Sequence, residues 1–179
     1  MLRIFIIIFV VFLASCGGKN DNHQPVVIDL NKSKEPLIKV NQKISKDEKR
    51  AIDAYVTRRN WNMIETGTGV KYMIYERGKD KMPESGDIVV IDFEIQLLDG
   101  SVCYSSKESG PEHFVVEYDH VESGMHEAIQ YLHEGDKAII IIPSHRAFGL
   151  AGDNEKIPSF ATVVYNIHLL EIISKSVER

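Results

Sequence analysis

The sequence predicts an α+β domain: five or six short antiparallel strands wrapped around one short helix, preceded by an N-terminal helix. Three observations carry this. Residues 87–97 (DIVVIDFEIQL) alternate, with Val89, Ile91, Phe93, Ile95 and Leu97 on one face and Asp92, Glu94 and Gln96 on the other. Asp99-Gly100 follows at once, a strong signal for a tight turn into the next strand. Between residues 121 and 132 the period changes, and Val121, Met125, Ala128, Ile129 and Leu132 recur at helical spacing.

The chain of 179 residues opens as an address rather than as structure. Arg3 is a brief basic head, and residues 4–13 (IFIIIFVVFL) form an apolar core too short to span as a stable transmembrane helix. Leu13-Ala14-Ser15-Cys16 matches the bacterial lipobox. The match implies a signal peptide over residues 1–15, cleavage before Cys16, and diacylglycerol with palmitate-type chains on the Cys16 sulfur. The alternative is an uncleaved membrane anchor. Cleavage removes Arg3 and no acid, so the formal charge of −5 becomes −6. That balance argues against nucleic acid and against a polybasic membrane surface, and favours a soluble body held at the membrane by its lipid.

Residues 16–45 are polar, broken by Pro25 and Pro36, and read as a lipidated cysteine followed by a flexible tether. Ser45-Lys46-Asp47-Glu48 has the form of a capping box, and Ala51, Ile52, Tyr55 and Val56 then recur at helical spacing. A helix is expected over residues 46–59, within a helix-and-connector segment ending at 69. Its apolar face either docks on the domain or meets a partner, a homodimer included.

From Val70 the pattern is β, and the domain is expected over residues 70–173, with a short tail at 174–179. Residues 70–78 (VKYMIYERG) read as a first strand and 87–97 as a second. The Asp99-Gly100 turn leads into a third, and 113–118 (HFVVEY) forms a fourth. Gly135-Asp136 ends the helix, and residues 137–143 (KAIIIIP) form a buried strand. Residues 161–172 close the chain, with Val163, Tyr165, Ile167 and Leu169 on one face. Before them runs a long connection containing Ala147, Phe148, Leu150, Ile157 and Phe160. It is too apolar to be disordered, so it is expected to fold over something.

Several chemistries lack their residues. Residues 126–134 (HEAIQYLHE) begin like a metalloprotease helix, but Gln130 stands where the second histidine should be. His126 and His133 therefore read as solvent-side helix residues. There is no Gly-x-Ser-x-Gly elbow, no phosphate-cradling glycine loop and no Cys-x-x-Cys. Cys103 could be a nucleophile, half of a disulfide or a packing residue. If Cys16 carries lipid, Cys103 has no partner in its own chain. A nucleophile needs a base and a lowered pKa, and nothing nearby in sequence supplies them, so a small buried thiol is favoured. No metal or cofactor is expected.

Three stretches carry a family resemblance. Residues 85–106 (SGDIVVIDFEIQLLDGSVCYSS), 121–152 (VESGMHEAIQYLHEGDKAIIIIPSHRAFGLAG) and 157–172 (IPSFATVVYNIHLLEI) hold a Gly-Asp strand with its Asp-Gly hairpin, a helix with a Gly-Asp turn and an Ala-Phe-Gly loop, and a closing strand. In this order they resemble the FKBP-type peptidyl-prolyl isomerases. The lipobox and the preceding helix make the chain similar to the gliding-motility-associated, lipid-anchored members. The resemblance implies an FKBP-like fold and catalysis without nucleophile or metal. It implies an apolar pocket built from Phe93, Val121, Met125, Phe148, Ile157 and Tyr165. For Phe93 and Tyr165, pocket and ordinary core packing remain equally open. The departures are specific. Cys103-Tyr104 stands where the family usually has Phe-Asp, and Glu112 falls at or near an aromatic position. Glu122 replaces an apolar residue, Met125 the helix tryptophan and Phe148 the loop tyrosine. Tyr104 is then a candidate to supply from the opposite wall the hydroxyl that Phe148 lacks.

Two functions follow as expectations. One is an isomerase acting on proline-containing exported polypeptides, lipid-anchored at the inner or outer membrane of a bacterial envelope and facing the periplasm. The other is a catalytically weak binding module or chaperone supporting a motility or secretion apparatus.

Overall fold

The period-two and period-3.6 patterns of the sequence separate in space into a sheet and the helices packed on it. The computed structural model describes residues 30–79 and 81–175. In chain order the elements are α1 (Leu30–Arg58), β1 (Ile64–Glu65), β2 (Lys71–Glu76), β3 (Ile88–Leu97), β4 (Val102–Ser105), α2 (Ser106–Ser109), β5 (Glu112–Val115), α3 (Ser123–Ile129), β6 (Lys137–Ile142) and β7 (Val163–Ile173), with a 3-10 turn at Ser144–Arg146. The strands form one antiparallel sheet in the order β1-β2-β6-β7-β3-β4, and β5 also pairs with β3. Seven strands stand where five or six were expected. The extra one is β1, two residues long, which no alternation could reveal.

β3 organises the site. One side pairs along its length with β7. On the other side Ile88–Ile91 pairs with β5 and Glu94–Gln96 with β4. Phe93 falls in the gap between them, where its N–H has no strand partner. The Ser106 hydroxyl, on α2, accepts from it at 3.1 Å. The expected hairpin joins β3 to β4. Gly100 takes φ 92°, a conformation that suits glycine. The Ser101 hydroxyl and amide both donate to Asp99, which holds that carboxyl below the usual carboxylate range.

The inner sheet face carries Val89, Ile91, Phe93 and Ile95 from β3 and Val163, Tyr165, Ile167 and Leu169 from β7. α3 covers it with Met125, Ala128 and Ile129, and Leu132 follows just past its end. Burying Met125 and Ile129 stabilises this packing by about 1.5–3 kcal/mol each. The helix lies close to β6. A Cβ on Gly124 would fall 2.3 Å from Ile142 Cγ2, so only glycine fits.

The outer face has its own cover. Ile52 and Tyr55 of α1 pack on Ile141 and Val164, with Trp61 and Met63 beside them. This explains the unbroken apolar run of β6. Ile140 faces α3's side and Ile141 faces α1, so neither needs to be polar. Of the apolar residues expected on the 46–59 helix, Ile52 and Tyr55 are therefore buried against the sheet, Val56 is partly buried and Ala51 is exposed.

Two expectations change. α1 begins at Leu30, not near residue 46, and passes through Pro36, which had been read as a break in a tether. Proline removes one backbone donor and bends a helix without always ending it. Ser45 consequently lies mid-helix and caps nothing, and Glu48 bonds elsewhere. His126 also differs from the expected solvent-side residue. Its Nδ1 accepts from the Glu117 amide at 2.9 Å and its Nε2 lies 2.9 Å from the Asp119 carbonyl, which fixes the Nε2–H tautomer. His133 also has partners: its Nδ1 lies 2.8 Å from Arg77 and 3.4 Å from the buried Asp136. Cys16, the proposed signal segment, the tether up to residue 29 and the end of the tail lie outside the described residues.

Candidate functional site

A cavity of about 380 Å³ sits on the inner face of the sheet. Phe93 and Ile95 of β3, Tyr165 of β7 and Val121 ahead of α3 give it an apolar floor. Phe148, from the long connection between β6 and β7, and Tyr104 of β4 also line it. Of the apolar residues expected to fold this connection over something, Phe148 lines the cavity and Ile157 is buried in the core, while Leu150 and Phe160 are exposed. Five of the expected site residues meet here: Phe93, Tyr104, Val121, Phe148 and Tyr165.

Three do not reach it. Met125 and Ile157 are each 2% exposed and belong to the core behind the wall. Cys103 points inward from β4, and its thiol lies 3.6 Å from the Lys156 carbonyl. Burial pushes the Cys103 thiol up, which leaves it a poor nucleophile. Its role is packing. Among the described residues, no group of three His, Cys, Asp or Glu side chains is arranged to hold a metal ion.

The polar groups of the cavity are mostly acidic: Glu108, Glu112, Glu122 and Asp153 line it, with His120 among them. Glu122 lies against the floor, where the Tyr165 hydroxyl donates to its Oε1 at 2.9 Å. Burial pushes the Glu122 carboxyl up, partly offset by that bond. Burial and the facing Glu122 in turn push Tyr165 well above its ordinary value.

Asp153 was not singled out by sequence. Its Oδ1 accepts from the Glu155 and Ile157 amides at 2.9 and 2.8 Å, a local Asx turn that the Gly-Asp-Asn run could have signalled. The preceding Gly152, at φ 68°, packs so tightly that a Cβ would sit 2.2 Å from the Ile157 carbonyl. The other oxygen, Oδ2, accepts from the Tyr104 hydroxyl at 2.5 Å. Glu155 also lies 3.3 Å from that hydroxyl. Donation to Asp153 is the main reason the Tyr104 phenol is pushed up to about 12. Burial pushes Asp153 up, but Tyr104 and the loop amides outweigh it and hold the carboxyl below its usual range. The Tyr104 hydroxyl therefore donates its hydrogen bond to the loop. The resemblance led one to expect an acid on the strand and a phenol on the loop. Here the strand carries the phenol and the loop carries the acid.

This cavity, the split strand and the covering loop coincide with a known family. Residues 79–170 match the FKBP-type peptidyl-prolyl cis-trans isomerase family. The chain belongs to the FKBP family. Its FKBP domain is 38% identical over 108 residues to the probable FKBP-type peptidyl-prolyl cis-trans isomerase FkpA of Neisseria meningitidis serogroup B, covering 60% of this chain and 39% of that protein. It is 32% identical over 107 residues to FkpA of Escherichia coli K12, again 60% of this chain and 39% of the relative. An FKBP-type 22 kDa isomerase of the same bacterium is 33% identical over 109 residues, 60% of this chain and 52% of its own length. The chain thus spans about two fifths to one half of the length of these three relatives. A crystal structure of a peptidyl-prolyl cis-trans isomerase from Pseudomonas syringae pv. tomato superposes with a TM-score of 0.61 over 73% of this chain and 96% of that one. At 23% identity it shows the shared FKBP fold.

Proposed function

We propose that this FKBP protein is a peptidyl-prolyl cis-trans isomerase, lipid-anchored at Cys16 in a bacterial envelope, acting on proline-containing segments of exported polypeptides. The observation that carries the activity is the cavity itself. It is an apolar floor of Phe93, Ile95, Val121 and Tyr165 under the Phe148 loop, within a domain of this family. The barrier to rotation about a peptide bond is about 18–20 kcal/mol, and X-Pro bonds are the ones that populate cis. The planar amide is stabilised by resonance that separates charge between oxygen and nitrogen, and water solvates that charge. An apolar, water-poor pocket solvates it less well, so the planar form loses more on entry than the twisted form. A differential of about 4 kcal/mol gives roughly a thousandfold acceleration. The step uses no covalent intermediate and no metal.

The lipid anchor and the envelope location rest on the lipobox at residues 13–16. A second reading is supported by one feature of the cavity. Tyr104's proton is committed to Asp153, and the Glu122 carboxyl lies against the floor. A pocket altered in this way suits a binding module for a motility or secretion apparatus, with little turnover.

A protease-coupled isomerisation assay on the full chain in detergent micelles, with peptides varying the residue before proline, separates the two. The isomerase reading expects turnover well above background for peptides with an apolar residue there. Background rates for every peptide, together with binding of an unfolded proline-containing protein, would establish the binding module instead. Phe148→Ala is the finer probe. Phe148 is half-buried at the edge of the core. The substitution is expected to lower kcat/KM about tenfold while costing under about 2 kcal/mol of stability, short of the ~3–5 kcal/mol of a fully buried phenylalanine.

A further inference from the structure

The cavity-covering connection between β6 and β7 has its two feet at Ser144 and Thr162. Both are fastened to one side chain that does not line the cavity and lies outside the matched family region. Glu48 of α1 accepts through Oε1 from the Ser144 amide at 2.6 Å and from the Thr162 hydroxyl at 2.7 Å. Through Oε2 it accepts from the Ser144 hydroxyl at 3.1 Å. Ser144 and Thr162 are buried, 4% and 5% exposed. Among the described residues no lysine or arginine pairs with Glu48, so three neutral donors satisfy a half-buried carboxylate. We infer that Glu48 is a positioning residue for the pocket loop, and that α1 contributes to the site by holding that carboxylate in place.

The geometry connects clamp to cavity in few steps. Ile52 and Tyr55, one and two turns on from Glu48, seat the same helix face on Ile141 and Val164. Glu48 then fixes the loop's feet. Above them the Gly149 amide donates to the Ser144 carbonyl at 2.8 Å, and the Phe160 amide donates to the Gly149 carbonyl at 2.8 Å, closing a neck. Beyond the neck the tip is tied to β4 through Asp153 and Tyr104. Phe148 lies between feet and neck, so its place over the cavity depends on both feet being held together. The family match covers residues 79–170, so a domain cut to that region lacks the clamp.

The inference rests on the isomerase reading, and the experiment distinguishes the two. Full chains carrying Glu48→Ala, Glu48→Gln, Thr162→Val or Lys49→Ala are compared by isomerisation rate, peptide affinity and amide hydrogen exchange. The exchange readout is taken at Gly149 and Phe160, neither of which bonds to Glu48. In Glu48→Ala these amides are expected to exchange at least tenfold faster, with kcat/KM down about tenfold and near-UV dichroism unchanged. Glu48→Gln, which keeps a carbonyl acceptor, and Thr162→Val, which removes a single donor, are expected to lie between. Lys49→Ala, which removes only the surface pair with Glu65, is expected to change neither. Unaltered exchange at Gly149 and Phe160 in Glu48→Ala would overturn the clamp. Faster exchange with kcat/KM within twofold of wild type would overturn its link to the site. Should the wild-type chain turn over no peptide, the isomerase reading fails by itself. The clamp is then judged on exchange together with the Kd of the same peptides, and an unchanged Kd counts against it.

Discussion

Glu122 is the residue at which this cavity departs furthest from an apolar pocket, and its ionisation can be measured. Burial raises its pKa above the ordinary 4.5, so the folded chain holds the proton more tightly than the unfolded chain does. The stability linked to this group is then fully present below about 4.5 and is lost as pH rises through the raised folded value. Glu122→Gln keeps an oxygen to accept from Tyr165 and removes the charge. It is expected to melt higher than wild type at pH 7, with the difference shrinking as pH falls and gone below 4.5. Equal melting shifts at every pH would mean that the carboxylate is held by a partner, not merely desolvated. Tyr104 supports a second prediction. If its hydroxyl acts through Asp153, Tyr104→Phe and Asp153→Ala each lower kcat/KM by roughly threefold to tenfold, and the double variant loses no more than either alone. Losses that multiply would instead give Tyr104 a direct contact with the peptide. Sequence reached Tyr104 because it broke a motif. It missed Asp153 because an Asx turn explains that residue locally, and its bond to Tyr104 spans 49 positions.

Helices and strands were legible in proportion to how local their causes are. β3 and β7 each have one face on the core, so their alternation reads directly. α3 was found by its spacing, since Met125, Ala128 and Ile129 all face the sheet. β1 was invisible, because two residues have no period. α1 was found but misplaced. Ser45 and Glu48 have capping-box spacing, yet Glu48's true partners, Ser144 and Thr162, lie 96 and 114 positions away. A local pattern was present and a tertiary one was realised. What holds the helix is packing, and this too can be tested. Ile52 is 2% exposed against Ile141 and Val164. Ile52→Ala is expected to cost about 2–4 kcal/mol in urea unfolding, as for other buried aliphatic truncations. A cost below about 1 kcal/mol would mean that α1 is barely seated, and the Glu48 clamp would lose its support.

At the scale of the whole molecule, the proposed attachment to a membrane rests on a part of the chain separate from the candidate cavity. The full sequence carries a formal charge of −5, a balance that does not by itself draw the chain to anionic lipid. Among the described residues no helix is long and apolar enough to cross a membrane. Residues 4–13 are apolar but short, and Cys16 follows them in a lipobox. Two mechanisms of attachment therefore compete: acyl chains on Cys16, or residues 4–13 retained as an uncleaved anchor. Each buried methylene of an acyl chain contributes about 0.8 kcal/mol, so two or more long chains hold a protein at a bilayer where one is marginal. Cys16→Ser removes the acyl acceptor and leaves the apolar run intact, so it separates the mechanisms. Under the lipid mechanism, wild type grown with labelled palmitate takes up label and partitions into detergent, while Cys16→Ser takes up none. Since lipoprotein cleavage follows modification of the cysteine, the variant is expected to keep residues 1–15 and to run larger on a gel. If Cys16→Ser instead matches wild type in size and phase and neither incorporates label, residues 4–13 are the anchor and the lipoprotein reading is wrong. Isomerase activity is expected to be the same for both chains in detergent, because Glu48, the loop and the cavity all lie downstream of the anchor.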